Sequence, residues 1–216
     1  MNPVRILVAD DHEVVRRGVC ALLEGHAGFE VCDEAVDGRE AVEKAKRSLP
    51  DVVILDIGMP GLNGFDAARQ IRNVSPDSEV LILTMHESEQ VIREVLAAGA
   101  RGYVLKSDAG RDLITAVEAL SHHKTFFTSR VAEMVLQKYL DGNPEQVNSE
   151  ATSLTPRERE VVQLVAEGRT NKEVATTLNI SVKTAETHRT NIMRKLDCHS
   201  LSELVRYAIR NKIIDP

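Results

Sequence analysis

Short apolar runs alternate with longer amphipathic stretches over the first half of the chain. The runs are rich in Val, Ile and Leu and cover residues 4–9, 29–32, 52–55, 80–83 and 103–105. Runs of this length and composition are typical of parallel strands that are buried on both faces. The stretches between and after them predict helices, which lie at about 15–23, 41–49, 64–73, 88–98 and 110–121. The apolar face of the first of these helices is marked by Val15, Val19, Leu22 and Leu23. Strands that alternate with helices predict an α/β doubly wound five-stranded parallel sheet, in a flavodoxin-like order.

The pattern changes in the last third of the chain, where only helix signals occur. Two capping boxes, which begin at Thr155 and Thr170, each predict the start of a helix. A long helix is predicted from about 182 to 196, and a last one covers about 200–210. The short helix, tight turn and long helix over 171–196 have the spacing of a helix-turn-helix.

These patterns divide the chain into two predicted domains. The α/β domain covers residues 1–125, and a small all-α helix-turn-helix domain covers residues 154–216. The segment 126–153 between them is predicted to be a linker with a helix over 129–140. After that helix, residues 141–153 are polar and show no periodicity, which is typical of a flexible connection.

Composition narrows the class of protein. A chain of 216 residues with 43% hydrophobic and 28% charged residues has the balance of a soluble globular protein. We find no signal-peptide pattern and no apolar run approaching the ~20 residues of a membrane span, so we expect a cytoplasmic protein without membrane contact. The three cysteines have no Cys-x-x-Cys spacing, which indicates reduced thiols. Net charge is −7 over residues 1–125 and +3 over residues 154–216, which suggests separate tasks for the two domains.

Polar residues stand at the ends of four of the predicted strands. They are Asp10, Asp11, Asp56, Thr84 and Lys106. Ligands of an open α/β sheet bind outside the carboxyl ends of its strands, so these side chains are expected to form one site. The alternative is that the acidic residues only cap the helices that follow.

The carboxylates of this site predict a metal ion. Asp10, Asp11 and Asp56 bring three like charges together, which is unfavourable unless a cation joins them. Few and hard oxygen ligands suit Mg²⁺, and the backbone carbonyl of Gly58 could add another. With the metal in place, Lys106 and Thr84 could bind phosphate oxygens, and Asp56 could accept a phosphoryl group as an acyl phosphate.

Two other functions use similar residues. A Mg²⁺-dependent phosphatase with an Asp nucleophile usually has a general acid two residues later, but that position holds Gly58. A phosphate-independent adaptor domain that only mediates protein contacts would not need an intact phosphoryl site. Both alternatives therefore fit less well than a protein that is itself phosphorylated.

The first domain resembles the receiver domain of two-component response regulators. The motifs that carry this resemblance are VADDH at 8–12, LDIGMP at 55–60, LT at 83–84 and YVLK at 103–106. The resemblance implies that Asp56 is the phosphoacceptor, that Asp10 and Asp11 hold Mg²⁺, and that Lys106 contacts the phosphoryl group. It also implies a switch pair, Thr84 and Tyr103, although Tyr103 could be merely a strand aromatic.

The long helix of the second domain has two different faces. Residues expected to face inward are Val182, Ala185, Ile192, Met193 and Leu196. Residues expected on the opposite face are Lys183, Thr184, Thr187, Thr190, Asn191, Arg194 and Lys195. Cations and short hydrogen-bonding side chains of this kind suit contacts with DNA phosphates and base edges, although an ordinary solvated face has a similar composition.

The second domain resembles the LuxR-type helix-turn-helix. The matching motifs are LTPREREV at 154–161, NKEVA at 171–175 and VKTAETH at 182–188. The resemblance places His188 near the DNA backbone, although a packed histidine is an open alternative. It also makes the last helix a dimer face, or else part of the core, through Leu201, Leu204, Val205 and Ala208.

Together the two domains resemble the NarL/FixJ subfamily of response regulators. This implies a transcription regulator that is phosphorylated on Asp56 by a sensor histidine kinase and binds double-stranded promoter DNA as a homodimer, with RNA polymerase as a further partner. Apart from the chemistry at Asp56, no enzyme activity is expected.

Overall fold

A computed structural model describes residues 2–128, 131, 133 and 154–214. The chain forms two compact units, Met1–Gly142 and Asn143–Pro216. Among the described residues, no helix combines the length and apolar character that a membrane crossing requires.

The first unit is an α/β sandwich around one sheet. Its strands are β1 Val4–Ala9, β2 Phe29–Ala35, β3 Val52–Asp56, β4 Glu79–Thr84 and β5 Gly102–Leu105. Its helices are α1 Glu13–Glu24, α2 Gly38–Ser48, α3 Gly64–Val74, α4 Glu89–Ala97 and α5 Ala109–Ser121. All strand pairs are parallel, in the order β2-β1-β3-β4-β5. The predicted doubly wound, five-stranded fold is confirmed.

Alternate residues of the central strands enter two separate cores, one on each face of the sheet. Val53 and Leu55 of β3 pack on one side, whereas Ile54 packs on the other. Because both faces are covered, these strands are apolar throughout, as their sequences predicted. One prediction for α1 is wrong, since Leu22 is exposed and Cys20 takes the inward position beside Val19 and Leu23.

The first unit continues beyond residue 125, where the sequence predicted its boundary. Phe126 forms a parallel bridge with Gly102, accepts a hydrogen bond from the Tyr103 amide at 3.0 Å and donates one to the carbonyl of Arg101 at 2.9 Å. Val131 is buried in the same core that contains Tyr103. Residues 131 and 133 are helical. The rest of the helix predicted over 129–140 lies outside the described residues.

The second unit is a small helical bundle in its described part. Its helices are α6 Pro156–Ala166, α7 Asn171–Thr177, α8 Val182–Lys195 and α9 Leu201–Arg210. Both predicted capping boxes are present, at Thr155 and Thr170, and each satisfies backbone donors at the start of a helix. An aliphatic core joins the helices and includes Val162, Ile192 and Leu204.

Candidate functional site

Three of the predicted rim residues meet at the carboxyl end of the sheet. Asp10 follows β1, Asp56 ends β3, and Lys106 follows β5. The Lys106 Nζ lies 2.8 Å from Asp10 Oδ2 and 3.0 Å from Asp56 Oδ2. Asp10 and Asp56 are only 2% and 6% exposed. The fold therefore holds two buried carboxylates against one ammonium.

This arrangement shifts the ionisation of the pocket. Burial raises the pKa of Asp56 above its ordinary value, and the Asp10 carboxylate adds to the rise, while Lys106 opposes it. Burial lowers the pKa of Lys106, but hydrogen bonds and charge from Asp10 and Asp56 outweigh that effect and raise it overall. Since one ammonium cannot neutralise two carboxylates, the pocket favours a further cation.

Asp11 and His12 complete a group of residues that could hold that cation. Ligand atoms of Asp10, Asp11, His12 and Asp56 all lie within 4.8 Å of one another. The three carboxylates supply the hard oxygen donors that Mg²⁺ prefers, so the residues present fit this ion. The loop residue Gly58 follows Asp56 by two positions, and the role of its carbonyl stays a prediction.

An arginine that the sequence analysis missed supports the β1–α1 turn. Arg16 Nη1 donates to the backbone carbonyl of Asp10 at 2.8 Å, and its Nε lies 3.0 Å from Glu34 Oε2 at the end of β2. The side chain is largely buried. In the sequence, Arg16 stood out only as a charged residue next to Val15, which lies on the predicted apolar face of the first helix.

The predicted switch residues are joined through a third residue, His86. Thr84 is buried at the end of β4, and its Oγ1 accepts a hydrogen bond from the His86 amide at 3.1 Å. Tyr103 is also buried, and its hydroxyl donates to the His86 carbonyl at 2.7 Å. In this structure the Tyr103 ring therefore points inward, and both side chains hold the backbone of the β4–α4 loop.

The loop after Asp56 is docked closely onto the start of α3. A Cβ atom at Gly64 would lie 2.9 Å from the carbonyl carbon of Asp56 and 3.0 Å from the Cα of Ile57, and closer still to the Asp56 carbonyl oxygen. The side chain of Asn63 caps α3 by accepting a hydrogen bond from the Asp66 amide at 2.9 Å. The position of Asp56 thus depends on a glycine at this contact.

Most of the residues predicted to contact DNA lie on the exposed face of α8. The exposed ones are Lys183, Thr184, Thr187, Thr190, Asn191 and Arg194, whereas His188 and Lys195 are half-buried. Ala185 and Ile192 face the core, as predicted. The prediction that Val182 faces inward is wrong, since this residue starts the helix and is 43% exposed.

Several polar side chains of α8 have partners within the second unit. Lys195 Nζ lies 2.7 Å from Glu158 Oε2 in α6, so this lysine also supports the bundle. Arg194 Nη2 donates to Asn191 Oδ1 at 2.8 Å on the exposed face. Arg189, which the sequence analysis did not single out, is half-buried. Its guanidinium reaches the side chain of Asn171 at the start of α7.

The predicted dimer face on α9 needs correction. Leu204 and Ala208 are 1% and 0% exposed and belong to the core of the second unit, so their place on a dimer face is wrong. Leu201 is exposed and Val205 is partly exposed. All four residues fall within about 100° of arc around α9, so they do not form two opposite faces. Leu201 is the first residue of the helix, and Val205 lies at the margin of the buried stripe.

Two family models match the chain. The model described as "Response regulator receiver domain" matches residues 6–118, and the model "Bacterial regulatory proteins, luxR family" matches residues 152–208. The chain is 39% identical to the oxygen regulatory protein NreC of Staphylococcus carnosus over 98% of this chain and 100% of the relative. It is 38% identical to the transcriptional regulatory protein LiaR of Bacillus subtilis, with the same coverage.

Solved structures of similar proteins include complexes with DNA. One is RcsB from Salmonella enterica serovar Typhimurium, described as bound to the promoter rprA in the presence of the phosphomimetic BeF₃⁻. It matches with a TM-score of 0.60 and 28% identity, over 95% of this chain and 98% of that chain. A structure of the RcsB–DNA complex matches with a TM-score of 0.59 and 29% identity, over 97% and 99%.

Proposed function

The chain belongs to the two-component response regulators of the NarL/FixJ subfamily, with a receiver and a LuxR-type DNA-binding domain, and from this premise we propose that phosphorylation of Asp56 controls its binding to promoter DNA. The donor would be the phosphohistidine of a sensor kinase. The observation that supports this most directly is the contact of one buried ammonium, Lys106, with both Asp10 and Asp56.

The proposed chemistry at Asp56 is a transfer between two nucleophiles. A carboxylate oxygen of Asp56 attacks the phosphorus of a phosphohistidine whose other ring nitrogen carries a proton. The new P–O bond forms as the P–N bond breaks, and the P–N electron pair stays on the imidazole, which leaves as the neutral base. The Lys106 ammonium then pairs with an oxygen of the phosphoryl group on Asp56. Asp10 and Asp11 would hold Mg²⁺, which supplies neutralisation of charge on the phosphoryl oxygens when bound.

Transfer to Asp56 can be tested with a small phosphodonor. We expect acetyl phosphate and Mg²⁺ to add one phosphoryl group to the full chain, detected by intact mass, and we expect Asp56→Asn to remove this addition. Asp77→Asn is a matched control, because Asp77 is an exposed aspartate in the same unit after α3. Equal labelling of the Asp56→Asn variant would place the phosphoacceptor elsewhere.

DNA recognition is assigned to the exposed face of α8. We expect Lys183→Ala to weaken binding to a selected genomic fragment and to reduce the slope of log affinity against log salt by about one, as loss of one phosphate contact does. Lys124→Ala, on an exposed lysine of the receiver, is the matched control. An unchanged salt slope for Lys183→Ala would contradict this assignment, and equal affinity with and without phosphodonor would contradict control by phosphorylation.

We also propose that the active form is a homodimer that acts with RNA polymerase in the cytoplasm. On α9, Leu201 and Val205 are the predicted dimer residues that stay accessible. Sedimentation of the full chain with and without phosphodonor tests this step, with Leu201→Asp expected to keep the phosphorylated chain monomeric. A Leu201→Asp variant that dimerises normally would exclude this face.

A further inference from the structure

The first turn of α6 contacts the protein at both ends of α8. Arg157 Nη2 donates to the backbone carbonyl of Leu178 at 2.6 Å. Leu178 directly follows α7, and Ser181 then caps the start of α8. At the other end, Lys195 is the last residue of α8, and its Nζ donates to Glu158 Oε2 at 2.7 Å. Two neighbouring residues of α6 therefore hold the turn before α8 and the end of α8.

Both contacts are anchored within α6. Arg157 Nη1 lies 3.0 Å from Oε2 of Glu160, which is only 7% exposed. Glu158 Oε2 also accepts a hydrogen bond from the Thr155 amide at 2.8 Å, as part of the capping box. The side chains of Glu158 and Lys195 are 18% and 33% exposed. The charged groups thus have a fixed hydrogen-bonding arrangement, which distinguishes them from freely exposed ion pairs.

The orientation of a rigid helix is set once both of its ends are held. α8 has 14 residues, so its ends lie about 20 Å apart at ~1.5 Å per residue. Hydrogen bonds to base edges need accurate distances and angles, whereas the attraction between a flexible cation and a phosphate changes slowly with distance. A change in the orientation of α8 should therefore weaken base readout more than phosphate binding.

We propose that Arg157 and the Glu158–Lys195 ion pair are positioning residues for the reading of DNA sequence, and that Lys195 does not itself bind phosphate. The inference rests on the proposed recognition face of α8 and takes Lys195 out of the predicted DNA contacts. A phosphate contact by Lys195 would have to break its contact with Glu158, which would leave that carboxylate without its ammonium partner.

The test compares specific and non-specific DNA binding of the full chain. Affinities for a selected genomic fragment and for an unrelated duplex of equal length are measured by fluorescence anisotropy over a range of salt concentrations. Lys195→Met removes the ammonium and keeps an apolar stem. Glu158→Gln removes the charge but keeps an acceptor for the capping box. A smaller folded fraction lowers both affinities equally, so it cancels in the ratio of specific to non-specific affinity.

We expect this ratio to fall about tenfold in Lys195→Met, in Glu158→Gln and in Arg157→Met, on the order of one lost base contact. The Glu158→Gln/Lys195→Met double variant should lose no more than either single variant, because both changes remove the same contact. On the unrelated duplex, Lys195→Met should leave the slope of log affinity against log salt unchanged. Lys195→Arg, which can still pair with Glu158, should retain the ratio.

Glu173→Gln is the matched control. Glu173 occupies the same position in the second capping box as Glu158 does in the first. Its carboxylate lies 4.0 Å from the guanidinium of Arg169, a residue outside α8. We expect the ratio of specific to non-specific affinity to stay constant in this variant.

Two results would overturn the proposal. A salt slope reduced by about one in Lys195→Met would show that Lys195 binds phosphate, and a higher affinity of Glu158→Gln for both duplexes would show that Glu158 competes with DNA for it. An unchanged ratio in any of the three variants would show that the contact serves folding alone.

The outcome is separable from the proposed function. If Lys183→Ala reduces the salt slope while the ratio does not depend on Lys195, only the positioning role fails. If the ratio depends on Lys195 while Lys183→Ala leaves the salt slope unchanged, the positioning of α8 stands and the assigned phosphate contact fails.

Discussion

Gly64 offers a sharp test of how the fold positions Asp56. In Gly64→Ala the added Cβ would meet the carbonyl carbon of Asp56 at 2.9 Å and the Cα of Ile57 at 3.0 Å, well inside the about 3.5–4.0 Å of ordinary carbon contacts. The atoms it meets are backbone, so neither can rotate away. The loop that holds Asp56 must therefore move relative to the start of α3.

The expected magnitude combines two opposing effects. Overpacking of this kind costs about 1–3 kcal/mol and occasionally more, and the severity of this contact places it near the upper end. Replacing glycine by alanine restricts the unfolded chain, which returns about 0.4–1 kcal/mol. We expect a net loss of about 2 kcal/mol in the free energy of unfolding of the receiver, together with slower phosphoryl labelling of Asp56.

Gly18→Ala is the matched control, because Gly18 lies within α1 and an added Cβ there meets nothing within 4 Å. The same chemical change should stabilise the receiver by about 0.5–1 kcal/mol at that position. Native-state hydrogen exchange of the slowest β1 and β3 amides measures both variants within the full chain. A Gly64→Ala variant as stable as Gly18→Ala, with normal labelling, would refute the assigned contact.

Three further outcomes follow from side-chain environments. Tyr103→Phe should cost about 1 kcal/mol by the same exchange measurement, because it removes the buried bond to the His86 carbonyl. Burial, with smaller contributions from nearby glutamates, raises the pKa of Cys20 to about 11 from 9.0. The alkylation of Cys20 at about pH 8 should therefore be about 100-fold slower than in the unfolded chain, and equal rates would contradict this. Burial raises the pKa of Glu158, but hydrogen bonds from Lys195 and Thr155 lower this pKa overall. The contribution of Glu158 to stability is therefore present above its ordinary pKa and is lost as the pH falls through its folded-state pKa. The thermal midpoint of the helical unit should accordingly be lower in Glu158→Gln than in the wild-type chain at neutral pH, and the two midpoints should become equal in acid.

The sequence predicted the sheet because its evidence is local. A short apolar run such as 52–55 has few alternatives to a buried strand. The carboxyl ends of parallel strands lie at the same edge of a sheet whatever their side chains are. The meeting of Asp10, Asp56 and Lys106 followed from that geometry alone.

Contacts between distant elements were not predictable in the same way. Arg16 reaches both the Asp10 carbonyl and Glu34, and no periodicity encodes such a bond. The backbone of His86 joins Thr84 and Tyr103 through atoms that every residue possesses, so no residue type signals it.

Burial on amphipathic helices was predicted only in part. Val182 and Leu22 are apolar and correctly spaced, but the first starts its helix and the second lies at the margin of the buried stripe, so both remain exposed. On α9, spacing alone could not separate Leu204, which packs into the core, from Leu201, which does not. The direction from which the neighbouring helices approach decides these cases.

The bridge between Phe126 and Gly102 has a practical consequence for dividing the chain. β5 is an edge strand, and an unpaired edge invites pairing with other chains and aggregation. The Phe126 backbone occupies two hydrogen-bonding positions along that edge, and Val131 fills part of the core beneath it. A receiver fragment cut at residue 125 would lose this cover, whereas one that includes residues 126–131 would keep it.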